Sequence, residues 1–221
     1  MGIEILLIIP LAFLCEFIDS SLGMGYGTTL APLLLLLGFQ PLQVVPAILL
    51  SEFVTGLTAA CFHHTIENVN FKPGSKDLKV ATVLSIFSII GVIISVILAI
   101  KLPPKIVKLY IALVVLSMGT IILLTRNKRI NFRWGRIITV GSLAAFNKGI
   151  SGGGYGPLVM GGQMLSGIGV KNAVAITSLS ESVVCFVGIL VYFLCKSAVD
   201  WTLAPCLWRE PFFLCHWQHI P

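Results

Sequence analysis

The sequence predicts an all-α, polytopic membrane protein made of two repeats, whose helices are broken by glycine or re-enter the membrane. Hydrophobic residues make up 57% of the 221 residues and charged residues 11%, against about 45–50% and about 25% in soluble domains. Apolar runs of about 20 residues recur, each long enough to cross a bilayer core. A glycine-rich motif occurs twice, at an offset of 129 residues.

This composition excludes an ordinary soluble enzyme, and a mean hydropathy of +0.98 excludes a disordered chain. The net charge of +6 arises from basic residues that lie mostly in short connectors. We therefore expect these residues to set topology rather than to bind nucleic acid. The six cysteines form no C-x-x-C pair, so no metal site, disulfide framework or cofactor is expected. No basic residue precedes the first apolar run, which favours a first membrane element over a signal peptide.

Four apolar segments are long enough to span a membrane alone, and four shorter ones form two pairs separated by glycines. The segments are 3–18, 28–37, 43–62, 80–100, 106–125, 136–147, 157–166 and 172–195. Runs of 10–14 residues are too short to cross. Each pair is therefore expected to be either one broken span or a re-entrant hairpin.

An internal repeat supports this pairing. Segment 14–54 aligns without gaps with 143–183, with 13 identities over 41 positions. The identities include the Gly-x-Gly-Tyr-Gly cluster and a Ser-Glu pair. Re-entrant pairs give each repeat three crossings and invert the second copy, whereas broken spans give four and keep the copies parallel. We favour inversion, because discontinuous helices within inverted repeats recur in secondary transporters.

These patterns predict a first membrane repeat over 1–125, a basic connector over 126–136, an incomplete second repeat over 137–197 and an atypical tail over 198–221. The connector has five basic residues and no acid, which places it in the cytoplasm with 63–79 and leaves 101–105 outside. The tail resembles neither a span nor an amphipathic helix. Back-translation allows a membrane span in another frame near Cys206, so we expect a frameshift and truncation there, which resequencing of the gene decides.

The two glycine clusters are the first candidate for function. They comprise Gly23, Gly25 and Gly27 in one copy and Gly152, Gly154 and Gly156 in the other. In a functional interpretation, unwound backbone and the N-terminus of the following helix face an anion. In a structural interpretation, the glycines allow close helix packing. We favour function, because both clusters fall at breaks between short apolar pieces.

Charged residues inside apolar segments are the second candidate, since an ionisable group within a membrane costs free energy. Lys148 precedes the second glycine cluster and is the repeat equivalent of Asp19. It is expected to contact substrate, to form an ion pair with Asp19 or a glutamate, or to snorkel to the interface. Ser51-Glu52 and Ser180-Glu181 occupy matching positions, and these residues, with Asp19, are candidates for proton coupling or a structural role.

Two patterns resemble other classes of protein. The repeated Gly-Tyr-Gly suggests the filter of a cation channel, although the residues before it are Gly-Met and Gly-Gly. Gly149-Ile150-Ser151-Gly152 has the form of an intramembrane protease motif, which requires a histidine base. The later histidines, His216 and His219, lie in the atypical tail. No enzymatic activity is therefore expected, and a gated channel is kept as the alternative.

The run Asp19–Gly38, the helix containing Ser51-Glu52 and the run Gly149–Val159 resemble the TauE/SafE sulfite exporter family over about residues 1–200. The resemblance implies seven or eight membrane segments in two inverted repeats, with the substrate site between the repeated motifs. Position by position, it points to the same glycines, together with Pro32 and Pro157. The C-terminus of the chain departs from the family, whose members continue for two more spans.

The expected function is therefore secondary transport of a small anion, above all sulfite or another sulfur oxoanion or sulfonate, outward across the cytoplasmic membrane. The protein is expected to be a multi-pass protein of the cell membrane, with a small anion as its partner and coupling to protons as an alternative left open. Lys148 and the two glycine clusters would hold the anion while the repeats rock around it. Glu52 or Glu181 would carry the coupling proton.

Overall fold

A computed structural model describes residues 2–22, 25–125 and 134–195 of the chain. Within those residues the protein is all helical and contains no strand, which confirms the predicted fold class. The eight described helices are α1 (Gly2–Leu22), α2 (Tyr26–Leu36), α3 (Pro41–Thr65), α4 (Lys76–Lys101), α5 (Pro104–Thr125), α6 (Trp134–Ser151), α7 (Tyr155–Leu165) and α8 (Val170–Leu194). Each one corresponds to one of the eight apolar segments, to within one residue where the helix ends before the segment does. Most of the basic connector and the whole tail lie outside the described residues.

Local sequence signals set where several helices begin and end. Gln40 and Gln43 form a capping box at the start of α3, and Ser75 accepts a hydrogen bond from Leu78 N–H at the start of α4. After α2 and α7 the chain turns at Gly38 and Gly167, whose φ angles are 99° and 86°. These left-handed conformations suit glycine at the end of a helix, which explains the repetition of this glycine in both copies.

The sequence repeat reappears in the helix boundaries. Helices α7 and α8 begin and end 129 residues after α2 and α3, respectively. Equivalent segments of the two copies therefore fold into equivalent helices, and the glycine-rich breaks separate α1 from α2 and α6 from α7. The inversion of the two copies as wholes stays a prediction.

Each pair of helices around a glycine break folds back on itself as a hairpin. In the second pair, Val140 near the start of α6 faces Gly162 near the end of α7, since a Cβ at Gly162 would lie 3.5 Å from Val140 Cγ1. In the first pair, Ile8 and Ala12 of α1 share a core cluster with Leu30 and Leu34 of α2. In each hairpin, the start of the first helix and the end of the second therefore lie on the same side of the bundle.

Helices α3 and α8 pack against each other in opposite directions. Leu49 of α3 faces Gly188 of α8, and Gly56, two turns further along α3, faces Ser178 and Ser182. Residue numbers thus rise along α3 as they fall along α8. The two helices are equivalent in the repeat, so this antiparallel packing is the relationship that an inverted repeat requires of them.

Small residues bring α4 close to α6. A Cβ at Gly91 would lie 2.5 Å from the carbonyl oxygen of Ser142, and one at Gly141 would lie 2.7 Å from Leu84 Cδ2. Close backbone approach through small residues is typical of helix packing in membranes. Of the described helices, α3, α4 and α8 are each long and apolar enough to cross a bilayer. The packed helices bring the two glycine breaks together near the middle of the bundle.

Candidate functional site

The two glycine breaks touch each other, backbone against backbone. A Cβ added to Gly27 would overlap the carbonyl oxygen of Gly152, and one added to Gly153 would lie 2.5 Å from the backbone nitrogen of Thr28. The amide of Gly154 donates to Thr28 Oγ1 at 2.9 Å. The described glycines of the two motifs therefore lie at one place, where the start of α2 meets the loop before α7.

Conformation and packing account for most of these glycines. Gly25, Gly152 and Gly154 have φ angles of 125°, 74° and 85°, in the region that side chains disfavour. Glycine is required at position 27 because a Cβ there would overlap the Gly152 carbonyl oxygen. Gly156 is buried in the first turn of α7. The predicted site residue Gly23 lies outside the described residues, so nothing places it.

Lys148 lies in the interior of the bundle, one turn before the second glycine break, with 1% of its side chain exposed. Its Nζ donates to Glu181 Oε1 at 2.7 Å and forms an ion pair with Glu52 Oε2. A lysine this deeply buried does not snorkel, so that alternative is wrong. The partners come from α3 and α8, the two equivalent helices, and the ion pair falls where these helices cross.

Glu52 joins the lysine to the start of a helix. One carboxylate oxygen pairs with Lys148, and the other accepts a hydrogen bond from the Gly27 amide at 3.2 Å. The adjacent amide, that of Tyr26, donates to Asp19 Oδ1 at 2.9 Å. The first amides of α2 thus bind two carboxylates of the protein itself. An exposed helix N-terminus with its positive dipole end is a general anion site.

Asp19 belongs to this cluster without joining the lysine pair. It lies near Glu181, and its described hydrogen bond goes to the start of α2 rather than to Lys148. Of the two ion-pair partners that the sequence offered for Lys148, the structure therefore selects the glutamates. Cys185 Sγ lies 3.9 Å from Glu52 Oε2, which places a buried thiol beside the same charges.

The serines before the two glutamates lie beside the tyrosines of the glycine motifs. The side chain of Ser51 lies close to that of Tyr26, and the side chain of Ser180 lies close to that of Tyr155. Both serines and both tyrosines are fully buried. The structure thus contains two Tyr-Ser pairs, one in each repeat, which our reading of the sequence missed. Their signal is visible there, since both residues of each pair are among the 13 identities.

The serine of the protease-like motif occupies a structural position. Ser151 donates to the carbonyl oxygen of Asn147 at 2.7 Å, as a residue closing a helix does. The histidines that a protease would need, His216 and His219, lie outside the described residues.

Comparison with known proteins identifies the family. The family model described as "Sulfite exporter TauE/SafE" matches residues 8–209. The chain belongs to this family. A TauE/SafE member is a membrane transporter, so a non-enzymatic role is consistent with the match. Together with the three described helices that are long and apolar enough to span a bilayer, the match makes the chain a multi-pass membrane protein.

A curated relative supports the same conclusion. The "Probable membrane transporter protein YtnM" of Bacillus subtilis (strain 168) is 29% identical over 157 residues, which cover 67% of this chain and 50% of the relative. This TauE/SafE chain therefore spans about half the length of that relative. No solved structure matches this chain.

Proposed function

We propose that the protein carries a small anion across the cytoplasmic membrane, with sulfite or another sulfur oxoanion or sulfonate as the substrate class and export as the direction. The family supports transport in general and sulfite export in particular. The substrate site is the junction of Lys148 with the glycine breaks at Gly25–Gly27 and Gly152–Gly156.

The observation that carries this proposal is the position of the Glu52 carboxylate. It bridges a buried ammonium group and the Gly27 amide in the first turn of α2, so the protein's own anion occupies a site with the two features that favour anions. An oxoanion, like a carboxylate, presents negatively charged acceptor oxygens. Substrate would therefore bind by displacing Glu52 or Glu181 from Lys148.

The charges of the site suggest proton coupling. Lys148 contacts two glutamates, so the trio carries one excess negative charge when both are ionised. Excess charge buried in a membrane is unfavourable and repels an anion. A proton on one glutamate removes the excess and frees a donor of Lys148. We infer that Glu52 or Glu181 takes up this proton, while Asp19, Ser51 and Ser180 hold the surrounding groups in place.

The helix arrangement supports alternating access. The α1–α2 and α6–α7 hairpins behave as re-entrant elements if both ends of each lie at one membrane surface, and this leaves three crossings in the first repeat. The antiparallel packing of α3 on α8 fits inverted copies. Rocking of one repeat against the other would then expose Lys148 to each side in turn.

Counterflow of radiolabelled sulfite into proteoliposomes that contain the 221-residue chain tests the proposal. A carrier gives saturable uptake that is driven by unlabelled sulfite inside. Sulfonates that bind the same site reduce the uptake of labelled sulfite. Single-channel currents without counterflow would favour the alternative, a gated channel. Counterflow with a carboxylate and none with sulfite or sulfonates would refute the substrate class while keeping the carrier.

A further inference from the structure

Two adjoining cavities follow one face of α4 on the side of the bundle where α4 and α8 begin. The outer cavity, of about 260 Å³, has polar walls that include Lys76, Asp77 and Asn172. The inner one, of about 120 Å³, lies between α4, α6 and α7 and reaches Leu84. Both are lined by Ser166, so together they lead from the end of the bundle towards its middle.

Gln163 gives the inner cavity a polar group in mainly apolar walls. Its side chain is 1% exposed, and its Nε2 donates to Thr177 Oγ1 at 2.9 Å. Its Oε1 has no hydrogen-bond partner in the described part of the chain. A buried acceptor without a partner costs about 1–3 kcal/mol. A cavity of this size holds several water molecules, and Gln163 lies in its wall.

The first repeat shows that packing does not require these polar groups. The equivalents of Gln163 and Thr177 are Leu34 and Ile48, both fully buried. The same hairpin thus packs on the same long helix with apolar side chains in one copy and a hydrogen-bonded polar pair in the other. The difference places a polar pair beside the inner cavity in the second copy and hydrocarbon at the equivalent place in the first.

Polar groups continue from Gln163 to the charged cluster. Ser180 Oγ donates to the carbonyl oxygen of Thr177 at 3.0 Å, and the Ser180 side chain lies close to that of Tyr155. The Tyr155 hydroxyl lies 3.3 Å from Ser88 Oγ, and Tyr155 is near enough to Glu181, the partner of Lys148, to be affected by its charge. Tyr155 is fully buried and lies one turn of α7 beyond Val159, which lines the inner cavity, on the side of the glycine break.

We propose that the two cavities form the vestibule through which an anion reaches Lys148 from the side of the α3–α4 connector, and that Tyr155 closes it. The inference rests on the proposed anion site and adds its entrance and its gate. The basic residues of 63–79 assign this side to the cytoplasm. The structure then corresponds to a state with a closed gate on the cytoplasmic side and a hydrocarbon seal at Leu34 and Ile48 on the other.

Cysteine labelling tests the vestibule, with a matched control in the other repeat. Gln163→Cys and Leu34→Cys are made in a background that retains the buried Cys15 and Cys185 and replaces the other four cysteines by serine. A membrane-impermeant sulfonated maleimide is applied to each side of vesicles. We expect label at position 163 from the cytoplasmic side and none at position 34. Gly162→Cys provides a second variant, because a Cβ there meets ordinary contacts.

Counterflow of sulfite after labelling separates the two proposals. Label at position 163 or 162 that blocks counterflow supports the vestibule. Counterflow that persists while neither position reacts, or while position 34 reacts equally, overturns the vestibule and leaves the anion site standing. Selective label at position 163 in a protein that moves no sulfite refutes the proposed substrate and keeps the vestibule.

Cys185 reports on the gate, since this thiol lies beside Glu52 at 0% exposure. In Tyr155→Ala we expect the maleimide to reach Cys185 from the cytoplasmic side. In Tyr155→Phe, which keeps the ring, we expect Cys185 to stay unreactive. Cys15 of the first repeat must remain unreactive in both variants, which excludes general unfolding. Unreactive Cys185 in Tyr155→Ala would show that another residue closes the path.

Discussion

Glu52 and Glu181, which are 129 residues apart, hold their carboxylates against the same lysine. Each comes from the middle of one of two equivalent helices, and the antiparallel packing of α3 on α8 brings them together at Lys148. A single lysine thus pairs with the glutamate of the Ser-Glu motif in both repeats. The pair is not symmetric: Glu52 also binds the start of α2 and is 8% exposed, whereas Glu181 is 17% exposed.

Lys148→Gln is expected to destabilise the fold as well as to abolish anion transport. Removing one partner of a buried ion pair costs about 3–5 kcal/mol, because it leaves the other charge uncompensated. The triple variant with Glu52→Gln and Glu181→Gln removes all three charges and is expected to recover the folded yield without transport. Thermal unfolding in detergent and sulfite counterflow measure the two effects. A Lys148→Gln protein as stable as wild type would contradict the ion-pair energetics.

Glu52→Gln is expected to flatten the pH dependence of transport. If a proton on Glu52 frees Lys148 for the anion, counterflow of wild type rises as pH falls, and the neutral glutamine mimics the protonated state at every pH. Glu67→Gln, a change at an exposed loop residue, is the control and should keep the wild-type profile. The initial rate of counterflow over a pH series is the measurement. An unchanged profile in Glu52→Gln would assign the proton to another group.

The helices and the buried lysine were accessible from sequence because each depends on local composition. Hydropathy marked all eight described helices, and glycines marked the breaks between α1 and α2 and between α6 and α7. An apolar context around Lys148 marked a cation that needs a partner. These signals lie within a few residues of the feature that they predict.

The partner groups were less accessible because they depend on how distant helices cross. No local pattern indicates that Glu52 and Glu181 meet at one lysine, or that the glycine breaks touch. The sequence alone also did not separate a functional from a structural role of the glycines. In the structure, positive φ angles and backbone contact explain Gly25, Gly27 and Gly152 without a ligand. Gln163 gave no signal until its position beside a cavity was known.

Gly27→Ala is expected to weaken the contact between the two breaks. Its Cβ would overlap the Gly152 carbonyl oxygen, and overpacking of this kind costs about 1–3 kcal/mol. Each kcal/mol lowers the melting temperature of a chain of this size by roughly 2–4 °C. Gly161→Ala in α7 is the matched control, because nothing lies within 4 Å of its Cβ position. A Gly27→Ala protein with the same melting temperature as Gly161→Ala would show that the breaks do not touch.

The hairpin of α6 and α7 predicts which connectors share a membrane side. The side chain of Asn172, near the start of α8, donates to Asp77 Oδ2 at 3.1 Å, near the start of α4. Single cysteines at the exposed positions Lys72 and Lys171 should therefore react with an impermeant maleimide from the cytoplasmic side. One at Lys101, at the far end of α4, should react from the other side, because α4 is long enough to cross the bilayer. If positions 72 and 171 reacted from opposite sides, α6 and α7 would form one broken span, the two repeats would be parallel, and the alternating-access mechanism would have to be abandoned.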